Sequence, residues 1–153
     1  MLLEHRQLEP EPDVERPIVA QAAAICLTAS APDAPHVVLV RSRRTGRWGL
    51  PKGGIEPGEV SSWAAQREAF EEAGVTGIVC SRPIGHFAYE KEGSCTRYEV
   101  AVHVLLNDLL ANHYPEQQMR ERGYFPLAEA IDLITHPQVR RILAMLMDEY
   151  RGR

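Results

Sequence analysis

The sequence predicts one α/β domain built around a mixed β-sheet. Strand-like segments such as HVVLVRS, at residues 36–42, alternate with segments of helical periodicity along the 153 residues. This order is typical of mixed α and β structure around one sheet. The apolar share of 44% and the charged share of 25% are ordinary for a globular protein. A chain of this length commonly forms one domain with a substantial core.

The first third of the chain is predicted to form an arm, a strand hairpin and a loop. Residues 1–16 carry proline and charge with little periodicity, so we expect a loosely ordered arm. The domain itself is placed at residues 17–150. Residues 17–29 are mostly apolar and are expected to pair, across the turn cluster SAPDAP, with the strand at residues 36–42. A glycine- and proline-rich loop follows over residues 43–59.

A helix is predicted over residues 60–73, and Gly74 suits the left-handed position that ends it. Residues placed at intervals of about 100° give the helix two different sides. Trp63 and Phe70 share one side with Gln66 and Ala73. The other, acidic side carries Ser61, Ala64, Ala65, Glu68, Glu71 and Glu72. Like charges at this spacing destabilise a helix by about 0.2–0.5 kcal/mol per pair, so they call for a counter-charge.

The second half of the chain predicts a hairpin, a loop and two C-terminal helices. Strands are expected over residues 75–81, 85–91, 96–106 and 123–127. Residues 107–122 are expected to form a loop. Helices are expected over residues 128–134 and 137–150, with Pro137 at the first position of the last one.

The overall charge and the cysteines exclude several classes of protein. A net charge of −4 gives no support to nucleic acid or a membrane surface as a partner. No apolar run approaches the roughly 18–20 residues that span a bilayer, and the first residues do not read as a secretory signal. Cys26, Cys80 and Cys95 lie far apart without CxxC spacing. They are typical of reduced thiols, so we expect a cytoplasmic protein.

The acidic side of the helix belongs to a longer pattern. Residues 53–75 read GGIEPGEVSSWAAQREAFEEAGV and fit G-x5-E-x7-R-E-U-x-E-E-x-G-U at every fixed position, where U is apolar. This segment resembles the Nudix box, and the chain is identified as a member of the Nudix hydrolase superfamily. The resemblance implies an α/β/α sandwich with a mixed sheet. It also implies that water attacks a pyrophosphate bond in a phosphorylated substrate.

The resemblance assigns the metal ligands. Glu68 and Glu72 would be the principal ligands, joined by a backbone carbonyl at Lys52 or Gly53. Glu71 would be the remaining ligand or the general base. Carboxylate oxygens suit Mg2+, with Mn2+ as a second possibility, and such ions complete their shell with water and substrate phosphates.

Two further residues of the box are given supporting roles by the resemblance. Arg67, placed with Glu71 in the catalytic group, would orient the glutamates through an ion pair. Glu59 precedes the helix, where the helix dipole favours an anion, and would act structurally or behind the metal ligands.

Basic residues flank the box and are candidates for binding phosphates. Arg41, Arg43, Arg44, Arg47 and Lys52 lie in or beside the loop at residues 43–59. They are read either as a phosphate clamp or as a solvated loop in which Arg47 packs on Trp48. The further candidates are Arg97, Arg120 and Arg122.

The flanking motifs narrow the resemblance. Three segments carry a narrower resemblance: RWGLPKGG at residues 47–54, GHFAYEK at residues 85–91 and R-x-R-x-Y-F at residues 120–125. Together they are similar to segments of the diphosphoinositol polyphosphate and diadenosine polyphosphate phosphohydrolases. The likeness covers residues 18–134. We therefore expect a small polyphosphorylated substrate, with diadenosine polyphosphates ahead of diphosphoinositol phosphates.

Several alternatives stay open. Removal of pyrophosphate from RNA 5′ ends is a second hypothesis for an enzymatic function. A hypothesis of a different functional class is a non-catalytic nucleotide-binding module. Glu116 is placed within reach of the metals or, as the favoured reading, in a plain loop. His86 is favoured as an ordinary sheet histidine over a catalytic one. The oligomeric state is left open.

Overall fold

The computed structural model describes residues 16–28 and 35–152. The predicted arm therefore lies outside the described residues except for Arg16. Most of the turn cluster between the first two strands also lies outside them.

The described residues form eight strands and three helices. The strands are β1 (Ile18–Thr28), β2 (His36–Arg41), β3 (Trp48–Gly49), β4 (Lys52–Gly54), β5 (Val75–Val79), β6 (Gly85–Glu90), β7 (Arg97–Leu110) and β8 (Arg122–Pro126). The helices are α1 (Ser61–Ala73), α2 (Leu127–Leu133) and α3 (Pro137–Arg151). None of the helices in the described parts is long and apolar enough to cross a membrane.

All eight strands belong to one mixed sheet. Its central path runs β3-β2-β1-β7-β5, while β4 pairs with β1, β6 with β7 and β8 with β2. The long strands β1 and β7 are parallel, and the other pairs are antiparallel. The expected pairing of β1 with β2 is confirmed, since Cys26 lies opposite Val38 and Leu27 opposite Val37.

The two faces of the sheet carry two separate apolar layers. Because strand side chains alternate between faces, Ile25 and Leu27 of β1 pack in one layer and Ala24 and Cys26 in the other. The first layer includes residues of α2 and α3, and the second includes the alanines of α1. The predicted α/β/α sandwich is therefore confirmed.

Helix α1 sits on the sheet with its acidic side inward. Ala64 and Ala65 are fully buried in the layer that includes Ala22 and Ala24 of β1, whereas Trp63 is 65% exposed. Ala64 and Ala65, which share the acidic side, therefore lie in the core. Their small size allows the helix to lie close to an alanine-rich strand, and Glu68 and Glu72 on that side reach the backbone of β4.

The predicted loop at residues 107–122 is wrong over its first four residues, which continue β7. Leu110 pairs with Val75 and Leu109 with Thr76, after a bulge between Thr76 and Gly77. Two short strands, β3 and β4, also lie inside the predicted loop at residues 43–59 because they pair with β2 and β1. Pro137 occupies the first turn of α3 as predicted.

Candidate active site

The site begins with a clamp between Arg67 of α1 and Glu59, which precedes the helix. The Nε and Nη2 atoms of Arg67 donate to the two carboxylate oxygens of Glu59 at 3.0 and 2.9 Å. This hydrogen-bonded pair lowers the pKa of Glu59 and raises the pKa of Arg67. The two-point contact fixes the plane of the guanidinium.

The same guanidinium reaches two of the box glutamates. Its Nη1 donates to Glu68 at 2.7 Å and to Glu71 at 3.4 Å, while Nη2 donates to the carbonyl of Gly54 at 2.8 Å. Arg67 thus connects β4 with the acidic side of α1. These contacts are what the predicted orienting role requires.

Glu68 is packed against the backbone of β4. The residue is only 8% exposed, and a Cβ atom at Gly53 would lie 2.2 Å from its carboxylate. Only glycine therefore fits at position 53 with the carboxylate where it is. Burial raises the pKa of Glu68 because it removes water from the charged form.

Glu72 lies one turn further along α1 and is equally buried. Its Oε2 accepts the backbone N–H of Lys52 at 3.2 Å, and Arg120 approaches its Oε1 at 3.9 Å. Burial raises the pKa of Glu72 to about 7. Lys52, whose ammonium lies 5.3 Å from the centre of the Tyr89 ring, has its pKa lowered by burial.

Glu116, from the segment between β7 and β8, joins this acidic group. One oxygen from each of Glu68, Glu71 and Glu116 lies within 4.8 Å of the other two. The Glu116 backbone N–H donates to the carbonyl of Glu71 at 2.9 Å, and Arg120 donates to its carboxylate at 3.1 Å. The structure thus places this loop glutamate within reach of Glu68 and Glu71, and its role as a metal ligand stays a prediction.

The residues present fit a divalent cation. The close group is Glu68, Glu71 and Glu116. The predicted ligands, Glu68, Glu72 and Glu71 with a backbone carbonyl at Lys52 or Gly53, stay a prediction. All donors of the close group are carboxylate oxygens, the ligands that hard cations such as Mg2+ prefer. Two arginines, Arg67 and Arg120, contact these carboxylates but do not balance their number. A bound cation would therefore supply charge that the protein lacks here.

A cavity of about 310 Å³ is lined by Lys52, whose backbone binds Glu72, but not by the clustered glutamates themselves. Its walls include the rings of Trp48, Phe87 and Tyr89, and Arg44 and Lys52 bring positive charge to it. Lys52 links the two parts of the site, because it lines the cavity and its backbone N–H binds Glu72. An aromatic, partly cationic cavity linked in this way to an acidic helix is suited to a ligand with a flat or apolar part and a phosphate chain.

The other predicted phosphate-binding arginines are spread over the surface. Arg41 pairs with Glu121 at 3.0 Å, and it is Arg41 that lies over the Trp48 ring, at 5.0 Å. Arg97 lies beside Glu99, with its Nε 3.3 Å from the carboxylate. Arg43 is exposed in the turn after β2, and Arg47 lines the cavity.

Arg120 contacts the acidic group itself, and Arg122 contacts the backbone next to it. Arg120 contacts Glu116 and Glu72, as described above. The Nη1 of Arg122 donates to the carbonyls of Ala73 and Ala111, both at 2.9 Å. Their substrate-binding roles stay predictions.

The histidines divide into one expected case and one that sequence reasoning missed. His86 is exposed on β6, in agreement with an ordinary sheet residue. His103 is fully buried in β7, where Nδ1 donates to the carbonyl of Cys80 and Nε2 accepts from the Ser61 hydroxyl, both at 2.8 Å. This bridge ties the start of α1 to the sheet. The histidine in the apolar run VAVHVLL was the only signal for it.

The α/β/α fold and the box on α1 together define a domain of the Nudix type. A family model described as the NUDIX domain matches residues 19–146. The chain belongs to the NUDIX family, as the box at residues 53–75 indicated.

Two named proteins of similar sequence support the assignment to this family. The protein named Nudix hydrolase 12, mitochondrial, from Arabidopsis thaliana is 33% identical over 133 residues, covering 77% of this chain and 63% of that protein. Diphosphoinositol polyphosphate phosphohydrolase 3-beta from Bos taurus is 34% identical over 117 residues, covering 74% of this chain and 68% of that protein. The chain thus spans less than two thirds of the plant relative.

A solved structure shares the fold. An Ap4A hydrolase from C. elegans, in a binary complex, superposes with a TM-score of 0.66 at 21% identity, covering 88% of this chain and 99% of that one. The bovine and nematode proteins carry the names of the two enzyme groups to which the flanking motifs are similar.

Proposed function

We propose that this protein hydrolyses a pyrophosphate bond in a small polyphosphorylated compound, with Mg2+ as its cofactor and Mn2+ as a substitute. The observation that carries the proposal is the group of Glu68, Glu71 and Glu116, whose oxygens lie within 4.8 Å of one another. Lys52, whose backbone binds Glu72, connects α1 with the cavity. The names of the relatives support the same class of reaction.

Glu68 and Glu116 would hold the cation, and Glu71 beside them would take up the proton of the attacking water. Glu72 lies one turn along α1 from Glu68. A divalent cation supplies neutralisation of the phosphate oxygens and a lowered pKa for the attacking water. Arg67 holds the carboxylates of Glu68 and Glu71 in place from the side of Glu59. Lys52 and Arg44, which line the cavity, would bind the phosphate chain where it leaves the cavity.

Glu71 is the residue we assign to the proton of the attacking water. Its side chain is 39% exposed, against 10% for those of Glu68 and Glu72, so water reaches it more readily. Its Oε2 faces Arg67. We therefore assign the proton to Oε1, the oxygen on the other side of the carboxylate.

Diadenosine polyphosphates and related nucleotides are the substrates that the cavity favours. Trp48, Phe87 and Tyr89 provide ring faces and edges on which a purine base can pack. The cavity volume of about 310 Å³ lies at the lower end of the range for small-molecule sites, which suits one nucleoside.

Diphosphoinositol phosphates are the second candidate because of a specific charge pattern. Arg44, Lys91 and Arg120 all lie close enough to Lys52 to lower its pKa further. Arg44, Arg47 and Lys52, which all line the cavity, suit a highly charged anion. The name of the bovine relative supports this candidate.

The test is a phosphate-release screen with Mg2+. It compares dinucleoside polyphosphates, diphosphoinositols, ADP-ribose, nucleoside triphosphates and triphosphorylated RNA. Glu71→Gln should lower turnover on the best substrate by about 10²–10⁴, the range for a lost general base. Glu72→Gln should lower turnover as well, because Glu72 holds the backbone of Lys52 in place. Wild-type turnover in both variants would refute the assignment of the box glutamates. Preference for the RNA would favour the 5′-pyrophosphohydrolase reading, and no turnover of any compound would favour a binding module.

We also propose a cytoplasmic location. The support is compositional: Cys26, Cys80 and Cys95 are all free thiols, which suits a reducing compartment. Cell fractionation tests it, and an organelle location, as in the name of the plant relative, would refute it.

A further inference from the structure

Glu116 lies far from the box in sequence, so something has to hold its segment against α1. Residues 111–121 connect β7 with β8 and contain no helix or strand. Two backbone bonds attach this segment to the end of α1: Ala111 donates to Gly74 at 2.8 Å and Glu116 donates to Glu71 at 2.9 Å. Two such bonds alone would leave a segment of this length free to open locally.

Two side chains attach the segment as well: Arg120, inside it, lies 3.9 Å from Glu72 of α1, and Arg122, directly after it, reaches the end of α1 from β8. The Nη1 of Arg122 donates to the carbonyl of Ala73, at the end of α1, and to the carbonyl of Ala111, at the start of the segment. The last carbonyls of a helix have no partner within the helix and carry the negative end of its dipole. Helix α1 has no basic residue in its own last turn. Arg122 therefore provides the cation from another part of the chain.

The packing around Arg122 is close. Its guanidinium lies 5.0 Å from the centre of the Tyr114 ring, so it also contacts the middle of the segment. A Cβ atom at Gly74 would lie 2.5 Å from the Tyr114 ring and 3.0 Å from Nη1 of Arg122. Gly74 has a φ of 66°, so glycine suits both the backbone and the space.

Arg122 is itself firmly placed. It is the first residue of β8 and lies opposite Val40 of β2, and the neighbouring Arg41 donates its N–H to Glu121 at 2.9 Å. One guanidinium thus joins the sheet, the end of α1 and the segment that carries Glu116.

We infer that Arg122 is a positioning residue that holds Glu116 beside Glu68 and Glu71, and so sets the affinity of the site for a divalent cation. This role differs from the substrate contact predicted for Arg122 from the sequence. The inference rests on the metal site of the proposed function. Loss of a residue that orients a ligand typically weakens metal binding by about 10–100-fold.

A double-mutant cycle on Mn2+ affinity tests the inference without any substrate. Arg122→Met, Glu116→Gln and the double variant are titrated with Mn2+ by calorimetry. We expect each single change to weaken binding by about 10-fold or more, and the double variant to be close to the weaker single one. Arg141→Met, at an exposed arginine of α3, is the matched control and should leave the affinity unchanged.

Amide hydrogen exchange provides the second readout, in metal-free buffer. In Arg122→Met the Glu116 amide should lose protection while the amides within α1 keep theirs. If Arg122→Met does not fold, Arg122→Lys carries the same cycle with a smaller expected effect, because a lysine offers one ammonium instead of a planar guanidinium.

Three outcomes would overturn the inference. The first is an Arg122 variant with wild-type Mn2+ affinity, and the second is a double variant whose loss is the product of the two single losses. Unchanged protection of the Glu116 amide is the third. A wild-type protein that does not bind Mn2+ would refute the metal site of the proposed function as well, which separates the two failures.

Discussion

Gly53→Ala tests whether the site depends on the close contact between β4 and Glu68. The added Cβ would lie 2.2 Å from Cδ and Oε1 of Glu68 and 2.6 Å from Oε2. To reach ordinary contact the carboxylate has to move by about 1.2 Å. That movement would take Glu68 away from Arg67, which now binds it at 2.7 Å, and from the group with Glu71 and Glu116.

The expected damage is functional and not structural. The carboxylate is the far end of a flexible side chain, so it can move aside without displacing the backbone. The free energy of unfolding should therefore fall by about 1 kcal/mol, at the low end for overpacking, which lowers Tm by about 2–4 °C. A misplacement of about 1 Å in a catalytic group costs about 100-fold in rate, and we expect a loss of that size in turnover.

The neighbouring Gly54→Ala is the matched control. A Cβ atom there would meet no heavy atom within 4 Å. Thermal unfolding, Mn2+ titration and phosphate release are measured for both variants. Wild-type Mn2+ affinity and turnover in Gly53→Ala would refute the reasoning. An equal loss in Gly54→Ala would show that any added side chain in β4 is harmful, and would refute it too.

Three further predictions use other parts of the site. The folded-state pKa of Glu72 is raised from 4.5 to about 7, so the metal-free protein should lose up to about 3 kcal/mol of stability as pH rises through this interval. Urea unfolding at pH 5 and pH 8 measures this loss. An equal loss of unfolding free energy between these two pH values in Glu72→Gln would contradict the prediction. Arg44→Ala should raise KM more for substrates with long phosphate chains than for ADP-ribose, because Arg44 lines the cavity. Arg43→Ala should raise KM less. Steady-state kinetics in which Arg44→Ala raises KM equally for both kinds of substrate would count against a phosphate clamp. His103→Leu should lower the free energy of unfolding by about 1–3 kcal/mol, because Ser61 and the Cys80 carbonyl lose their buried partner. Urea unfolding measures this change, and the Mn2+ affinity should stay the same. A lower Mn2+ affinity without a fall in stability would indicate a functional role instead.

The sequence was informative wherever a local pattern was strong. Helix α1 was predicted to within one residue, because the periodicity of its side chains and Gly74 as its terminator are local signals. The strands around residues 36–42 and 85–91 were found for the same reason. The side of α1 that carries the glutamates of the box could be predicted because sequence spacing along a helix determines which side chains share a face.

Contacts between distant segments were not accessible from the sequence. Glu116 joins Glu68 and Glu71 only because β7 continues to Leu110 and returns the chain to the end of α1. That continuation was missed because Asn107 and Asp108 interrupt the apolar alternation on which strand prediction depends. Arg122 was read as a phosphate ligand because basic residues near the box attract that interpretation, and nothing local reveals a contact with Ala73.

The placement of α1 shows why burial of charge and function have to be considered together here. An ordinary amphipathic helix would bury Trp63 and Phe70, yet both are at least 38% exposed while Glu68 and Glu72 are each 8% exposed. Buried carboxylates are costly unless they are paired, and Arg67 and Arg120 pair them only in part. The arrangement is therefore least stable without a cation, and a cation that binds only the folded protein stabilises it in proportion to the logarithm of its concentration. On this reasoning the exposed aromatic side chains of α1 are a consequence of the site, since the helix can direct only one side to the sheet.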